Sequence, residues 1–177
     1  MLGLATLYNE VFVVREGSSE IEVYDSATLT LQRSITVEGL NMASSVKYSC
    51  LYIADWGAVT GRNGGYVHRV KLFGKTIKWS LGDTLRGVSV TPDGFNVIVT
   101  FQVSRKIKEY TTHGELVRET RLQEDIVNPF IAIQLSTGQF VVSHGGIYGG
   151  TTDPLNRVCI VDIDGHIKEC FGGPPWI

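Results

Sequence analysis

Short apolar runs recur along the chain at a nearly constant interval. Four of them, rich in β-branched and aromatic residues, occupy residues 11–14, 51–54, 96–99 and 139–142. Their starts are 40, 45 and 43 residues apart. Because the runs are bounded by Gly, Pro and Asp and lack apolar residues at i, i+3 and i+4, they predict β-strands and disfavour helix pairs.

Further strands accompany each of these runs. A shorter strand is predicted before it, at residues 4–6, 45–47, 87–90 and 131–134, and another after it, at residues 21–24, 67–70, 107–110 and 158–161. A hairpin turn then leads into a fourth strand, and Gly114 and Gly165 suit the turns because glycine accepts a positive φ. Each unit therefore contains four strands joined by short turns.

A period of 40 to 50 residues with four antiparallel strands is typical of a β-propeller blade. The sequence thus predicts an all-β, propeller-like fold with four blades of four strands. The predicted blades are residues 1–41, 42–84, 85–129 and 130–173, within a single domain of residues 1–177.

Two segments resemble the repeats of a known family. Residues 51–57, Leu-Tyr-Ile-Ala-Asp-Trp-Gly, resemble the strand motif of NHL repeats, and also the YWTD motif, which has Trp where Ile53 stands and Thr where Ala54 stands. Residues 157–165 are similar to the third strand and turn of the NHL repeat. The resemblance implies a six-bladed ring that mostly binds protein or RNA, with a minority of lyases and lactonases among related propellers.

Four blades are fewer than the resemblance implies. The sequence begins on an innermost strand, and residues 172–177 read like a linker before another blade. We therefore expect an open, partial propeller that belongs to a longer ring, with a closed four-bladed ring as the alternative. Open blade faces are apolar and would allow self-association, and two chains pairing into an eight-bladed ring is a third arrangement.

Composition and charge narrow the choice of partners. The chain is 43% apolar and 19% charged with 20 glycines, as in turn-rich globular proteins, and its net charge is −2 with scattered basic residues. This charge balance disfavours nucleic acid as the partner.

The sequence has no run of 18 apolar residues and no evident signal peptide, so we expect no membrane span. Its three cysteines form no disulfide framework, and together with the missing signal peptide this slightly favours the cytoplasm.

The candidate site lies in two long, Gly-rich connections between the second and third strands of the second and fourth blades. The first offers Asp55, Trp56 and Arg62, and the second offers His144 and Tyr148. Such residue types on loops are frequent in binding sites. The alternative interpretation is that the connections are plain insertions, with Asp55 hydrogen-bonding its own turn.

The other candidate chemistry is sparse. His113 and His166 adjoin turn glycines and are expected at exposed hairpin tips, and no zinc-ligand spacing, nucleophile elbow or phosphate loop is present. We therefore expect no cofactor and no metal, and predict a protein-interaction scaffold rather than an enzyme. The alternatives are a fragment of a metal-dependent propeller hydrolase or lyase and, third, an RNA-binding propeller.

Cys159 and Cys170 flank one predicted hairpin, and its register decides whether they meet. A two-residue loop at Asp164 and Gly165 would pair residue 159 with residue 170, close enough for a disulfide. A three-residue loop closed by Gly165 would pair residue 159 with residue 169. The Asp-x-x-Gly spacing favours the three-residue loop, so no bridge is expected.

Overall fold

The computed structural model describes residues 2–15, 18–37, 41–47, 50–55, 64–71, 76–145 and 157–172, with the backbone alone at Leu2 and over 41–47. In these ranges the regular structure consists of sixteen β-strands in four separate antiparallel sheets, which confirms four blades of four strands. Within the described ranges no helix is long and apolar enough to cross a membrane.

Strand bounds follow the predicted units. The first blade contains β1 (Leu2–Leu7), β2 (Glu10–Arg15), β3 (Glu20–Asp25) and β4 (Leu31–Thr36). The second contains β5 (Asn41–Lys47), β6 (Cys50–Asp55), β7 (Tyr66–Lys71) and β8 (Thr76–Ser80). The third contains β9 (Leu85–Val90), β10 (Asn96–Phe101), β11 (Lys106–Thr111) and β12 (Leu116–Arg121). The fourth contains β13 (Ile131–Gln134), β14 (Phe140–His144), β15 (Arg157–Val161) and β16 (Ile167–Phe171).

The connections between strands leave each blade at its two opposite strand ends. Here an edge is such a set of strand ends and not an edge strand. At one edge the second strand leads into the third, and the fourth strand leads into the next blade. We call it the loop edge. At the opposite edge, the turn edge, the first and second strands and the third and fourth strands are joined.

Three apolar cores lie between successive blades. Alternate side chains of a strand point to opposite faces, so one sheet contributes to two cores. The core of the first and second blades contains Phe12, Val14, Ile21, Val23, Val37, Leu51, Ile53 and Val70. The core of the second and third contains Cys50, Tyr52, Ala54, Val67, Leu85, Val88, Val97, Val99, Phe101 and Tyr110. The core of the third and fourth contains Ile98, Ile107, Leu122, Ile126, Ala132, Phe140, Val142, Cys159 and Val161.

The outward faces of the first and fourth blades both expose apolar side chains, and Leu4 of the first blade is 64% exposed. The inner strands pack in the order β1, β5, β9, β13. On the fourth blade, Ile133, Val158 and Phe171 are 49%, 39% and 49% exposed. On the first blade, Arg15 pairs with Glu22 across the outward face. Among the described residues these two faces have no neighbouring blade, as in an open arc.

The hairpin turns at the turn edge have the predicted geometry. Gly114 and Gly165 have φ of +94° and +93°. In the fourth blade the Asp162 amide donates to the His166 carbonyl at 2.9 Å, and the Gly165 amide donates to the Asp162 carbonyl at 3.1 Å. His113 and His166 are exposed at these turns, as expected.

The register of Cys159 differs from the prediction. A β-bulge follows the fourth-blade turn, so that Lys168 is an extra residue on the outer strand and Glu169 pairs with Ile160 instead of Cys159. Cys159 therefore stands opposite Cys170, and a disulfide joins them. The expectation of no bridge was wrong because the loop length alone does not set the register when a bulge inserts a residue.

The same bulge occurs in the first, third and fourth blades, whereas the described pairing of β7 with β8 has no shift. The pairing of third and fourth strands shifts by one residue at Tyr24 in the first blade and at Tyr110 in the third. A bulge increases the local twist of its strand.

The pH dependence of stability is expected to reflect Asp162. The Lys168 ammonium, 2.9 Å from the carboxylate, and then the backbone amides of His166 and Asp164 lower the pKa of Asp162 to about 2. Because the folded pKa lies below the ordinary value of 3.8, this stabilisation is complete above that value and is lost as the pH falls towards 2. In thermal denaturation followed by circular dichroism, Asp162→Asn should lose less stability than the unchanged protein between pH 4 and pH 2.

Lys168→Met tests the cause. It keeps the carboxylate and removes its strongest partner, so its acid transition should move to higher pH. An acid transition that neither substitution alters would contradict the assignment.

Candidate functional site

Two polar residues are buried at the loop edge, at equivalent positions of the second and fourth blades. Asp55 ends β6 and His144 ends β14, and they are 5% and 4% exposed. By alternation Asp55 shares a face with Ile53, which packs on the first blade, and His144 shares a face with Val142, which packs on the third. A buried polar group costs free energy unless it has a partner, so the partners define the chemistry of each position.

Asp55 is partnered by His68. The His68 Nε2 atom lies 3.5 Å from an Asp55 carboxylate oxygen, and the two side chains are 1% and 6% exposed. His68 is paired with Ile53 in the ladder, which places the imidazole on the same face of the blade as Asp55. At this separation the contact is electrostatic, and among the described residues the buried Nε2 atom of His68 forms no hydrogen bond.

A cavity of about 300 Å³ adjoins this pair between the first and second blades. Its described lining consists of Thr36, Val37, His68, Thr76 and Lys78. The Lys78 ammonium lies 4.2 Å from the centroid of the Tyr66 ring, a cation–π contact that holds it near the wall. The volume is at the lower end of small-molecule sites, and the ammonium, imidazole and hydroxyl groups suit a small anionic group.

His144 is partnered by sulfur. Its Nε2 atom lies 3.2 Å from Cys159 Sγ, and Cys159 is fully buried within the core of the third and fourth blades. Cys159 is bonded to Cys170 on the exposed outer strand β16. The imidazole nitrogen and the two sulfurs all lie within 4.8 Å of one another.

These contacts occupy one repeated position. In every blade the last residue of the second strand contacts one residue of the third strand. In the ladder, that third-strand residue is paired with the residue two positions before the end of the second strand. The four pairs are Arg15–Glu22, Asp55–His68, Phe101–Lys108 and His144–Cys159. The ladder fixes the position, and the residue types change its chemistry from blade to blade.

The other two blades use the position for an exposed ion pair and for a cation–π contact on a buried ring. Arg15 and Glu22 are 2.8 Å apart, and hydrogen bonds from Arg15 and then from Tyr24 lower the pKa of Glu22. The Lys108 ammonium lies 4.9 Å from the centroid of the Phe101 ring. Only the second and fourth blades, among the described residues, place an imidazole there.

The predicted site residues divide into two groups. Asp55 and His144 lie at the same edge but in different interblade cores. Trp56, Arg62 and Tyr148 lie outside the described residues. The sequence analysis missed His68 as the partner of Asp55, although a histidine within a strand buried on both faces is an available signal.

Comparisons with known proteins identify the fold. No family model and no curated protein matches the sequence. Several solved structures match over nearly its whole length. A chain of the nidogen/laminin complex is 13% identical with a TM-score of 0.73, and the match covers 96% of this chain and 62% of that one. The fold is a β-propeller.

Two enzymes are similar to this propeller to the same degree. Virginiamycin B lyase from Staphylococcus aureus is 13% identical with a TM-score of 0.66, over 94% of this chain and 53% of the lyase. Hydrazine synthase from Kuenenia stuttgartiensis is 17% identical with a TM-score of 0.71, over 96% of this chain and 48% of that one. The chain thus spans about half the length of these structures, and at such identities the likeness concerns the fold alone.

Proposed function

We propose that this chain is a protein-binding module of NHL-like propeller blades, which contacts its partner through the loop edge of the second and fourth blades. One observation carries the proposal: the two edges of the blades are built differently. Residues 56–65 and 145–156 connect second to third strands at the loop edge, whereas tight turns close the described hairpins at the turn edge. Long loops on a rigid scaffold are where binding residues concentrate.

The residue types of these loops suit a protein partner. Trp56, Arg62 and Tyr148 belong to the three types most enriched in the energetic centres of protein interfaces. Asp55 and His144 anchor the strand ends from which the loops leave. Anchoring by buried, partnered groups reduces the entropy that a loop loses on binding.

The charge distribution supports protein over RNA. Several basic side chains are already ion-paired within their own sheets: Arg15, Arg33, Lys106, Lys108, Arg118 and Lys168. Phosphate binding needs basic groups that can neutralise the nucleic-acid backbone. A net charge of −2 and basic residues scattered along the sequence are a poor match to that requirement.

Site-specific photo-crosslinking tests the proposal. A benzophenone amino acid replaces Trp56 or Tyr148 near the loop edge, and replaces Leu29 or Phe95, which are 69% and 67% exposed at the turn edge, as matched controls. After irradiation in extract from the source cells, protein adducts should form from residues 56 and 148 in clear excess over residues 29 and 95. Gel electrophoresis and mass spectrometry measure the adducts.

The competing outcomes are distinguishable. Adducts that disappear after ribonuclease treatment would favour RNA, and equal yields from both edges would rule out a loop-edge interface. With the crosslinker at position 56, Tyr148→Ala should reduce the yield of adducts, and with the crosslinker at position 148, Trp56→Ala should do the same. The reason is that central aromatic contacts each contribute about 2 kcal/mol or more to binding.

A further inference from the structure

The fourth blade brings together three groups that are typical ligands of soft metal ions. His144 Nε2, Cys159 Sγ and Cys170 Sγ lie within 4.8 Å of one another, and His144 Nε2 is 3.2 Å from Cys159 Sγ. Two thiolates and one imidazole are a ligand set that zinc uses, with a further position left for water or another donor. In the structure the two sulfurs are bonded to each other, so they cannot both act as thiolate ligands.

We propose that reduction of the Cys159–Cys170 bond converts this cluster into a site for a soft divalent cation such as Zn²⁺, with His144 and both cysteines as ligands. Disulfide and metal site are then mutually exclusive states of the same three residues. This inference is independent of the proposed binding function.

Zinc geometry fits the cluster after a small separation of the sulfurs. Zn–S bonds of about 2.3 Å and Zn–N bonds of about 2.0 Å place tetrahedral ligand atoms roughly 3.5 to 3.8 Å apart. The nitrogen–sulfur distance of 3.2 Å is already near this range. Breaking the sulfur–sulfur bond lets the two sulfurs move to the required separation by side-chain rotation, because their strands remain paired.

The burial of the two cysteines favours attack on the disulfide at Cys170. Cys170 lies on the exposed outer strand, whereas Cys159 is fully buried. A dithiol reductant attacks Cys170 Sγ as a thiolate, and the bonding electrons leave with Cys159 Sγ. The second thiol of the reductant then resolves the mixed disulfide, which gives two protein thiols and one oxidised reductant.

His144 has a role in both steps. Its Nε2 atom is placed to donate a hydrogen bond to the departing Cys159 thiolate. When Zn²⁺ binds, the two thiols release two protons to solvent, and neutral His144 changes to the tautomer with its proton on Nδ1, so that Nε2 becomes the nitrogen ligand. Two thiolates balance the charge of the cation in a site that is largely buried.

Metal binding to purified, untagged protein tests the proposal. Protein reduced with a phosphine should bind about one equivalent of Zn²⁺ after desalting, and oxidised protein should bind none above background. With Co²⁺ in place of Zn²⁺, the reduced protein should show the thiolate-to-metal charge-transfer absorption. Both measurements are independent of any activity.

Three variants assign the ligands. Cys170→Ser and His144→Gln should each weaken Zn²⁺ binding by about tenfold or more. Cys50→Ser, which removes the buried cysteine of another core, should bind as the unchanged protein does. Circular dichroism confirms that each variant is folded, and Cys170→Ser is the safest because it changes an exposed strand.

The proposal fails if reduced protein takes up no more metal than reduced Cys170→Ser. It also fails if oxidised protein binds metal as well as reduced protein does, or if His144→Gln binds with unchanged affinity.

Discussion

Replacement of Gly165 by alanine is expected to lower the free energy of unfolding by about 3 kcal/mol, near the upper end of what single substitutions cost. Gly165 has a φ of +93°, and a Cβ added there would lie 1.9 Å from the Arg121 carbonyl oxygen of the preceding blade. The turn cannot retreat freely, because the Gly165 carbonyl accepts a hydrogen bond from the Gln123 amide at 3.0 Å, and Thr120 Oγ1 donates to the Ile163 carbonyl at 3.0 Å. Urea denaturation followed by circular dichroism measures the loss.

Gly138→Ala is the matched control. Gly138 closes a turn with the same hydrogen-bond pattern and a φ of +87°, but a Cβ there would meet nothing within 4 Å. It should therefore cost only the backbone strain of a left-handed alanine, about 1 kcal/mol. Equal losses at the two glycines would mean that the contact between the fourth-blade turn and the third blade contributes little.

Phe101→Ala is expected to cost roughly 3 to 5 kcal/mol, as for other fully buried aromatic residues. The ring is fully buried in the core shared by the second and third blades, and it also carries the Lys108 ammonium at 4.9 Å. Truncation leaves a cavity that both blades line. Phe101→Leu, which keeps much of the volume, should recover more than half of the loss when unfolding free energies are compared.

Phe95→Ala provides the contrast for this core. Phe95 is 67% exposed in a turn of the same blade, so its truncation should change the free energy of unfolding by about 0.5 kcal/mol or less. A loss at Phe101 as small as that at Phe95 would show that the second and third blades do not depend on their shared core.

The blade architecture could be predicted because its signals are local and repeated. β6 is buried along its whole length, which explains the continuous apolar run of residues 51–54. The turn glycines Gly114 and Gly165 adopt the positive φ that their position requires. Strand runs recur in each unit, and the third and fourth units share their turn glycine, whereas the first has Leu29 with a φ of +54° at its turn.

The site chemistry was less accessible, because it depends on register between strands. The repeat in the sequence aligns residues 96–99 with residues 51–54 and so matches Ile98 to Ile53. In the structure the equivalent of Ile53 is Val99, because both side chains pack towards the preceding blade. A one-residue difference reverses which side chains point towards the preceding blade. The same kind of shift, at the fourth-blade bulge, brought Cys159 opposite Cys170.

Because the described cores join only successive blades, the free energy of unfolding is nearly a sum of terms for single blades and for neighbouring pairs. The second and third blades each bury two faces in such cores, and the first and fourth bury one. In such an array each unit is stabilised by its own sheet and its nearest neighbours, so that cooperativity passes from unit to unit rather than through a common centre. Cys159 belongs to the core of the third and fourth blades, so local opening of that one core exposes the buried half of the His144, Cys159 and Cys170 cluster.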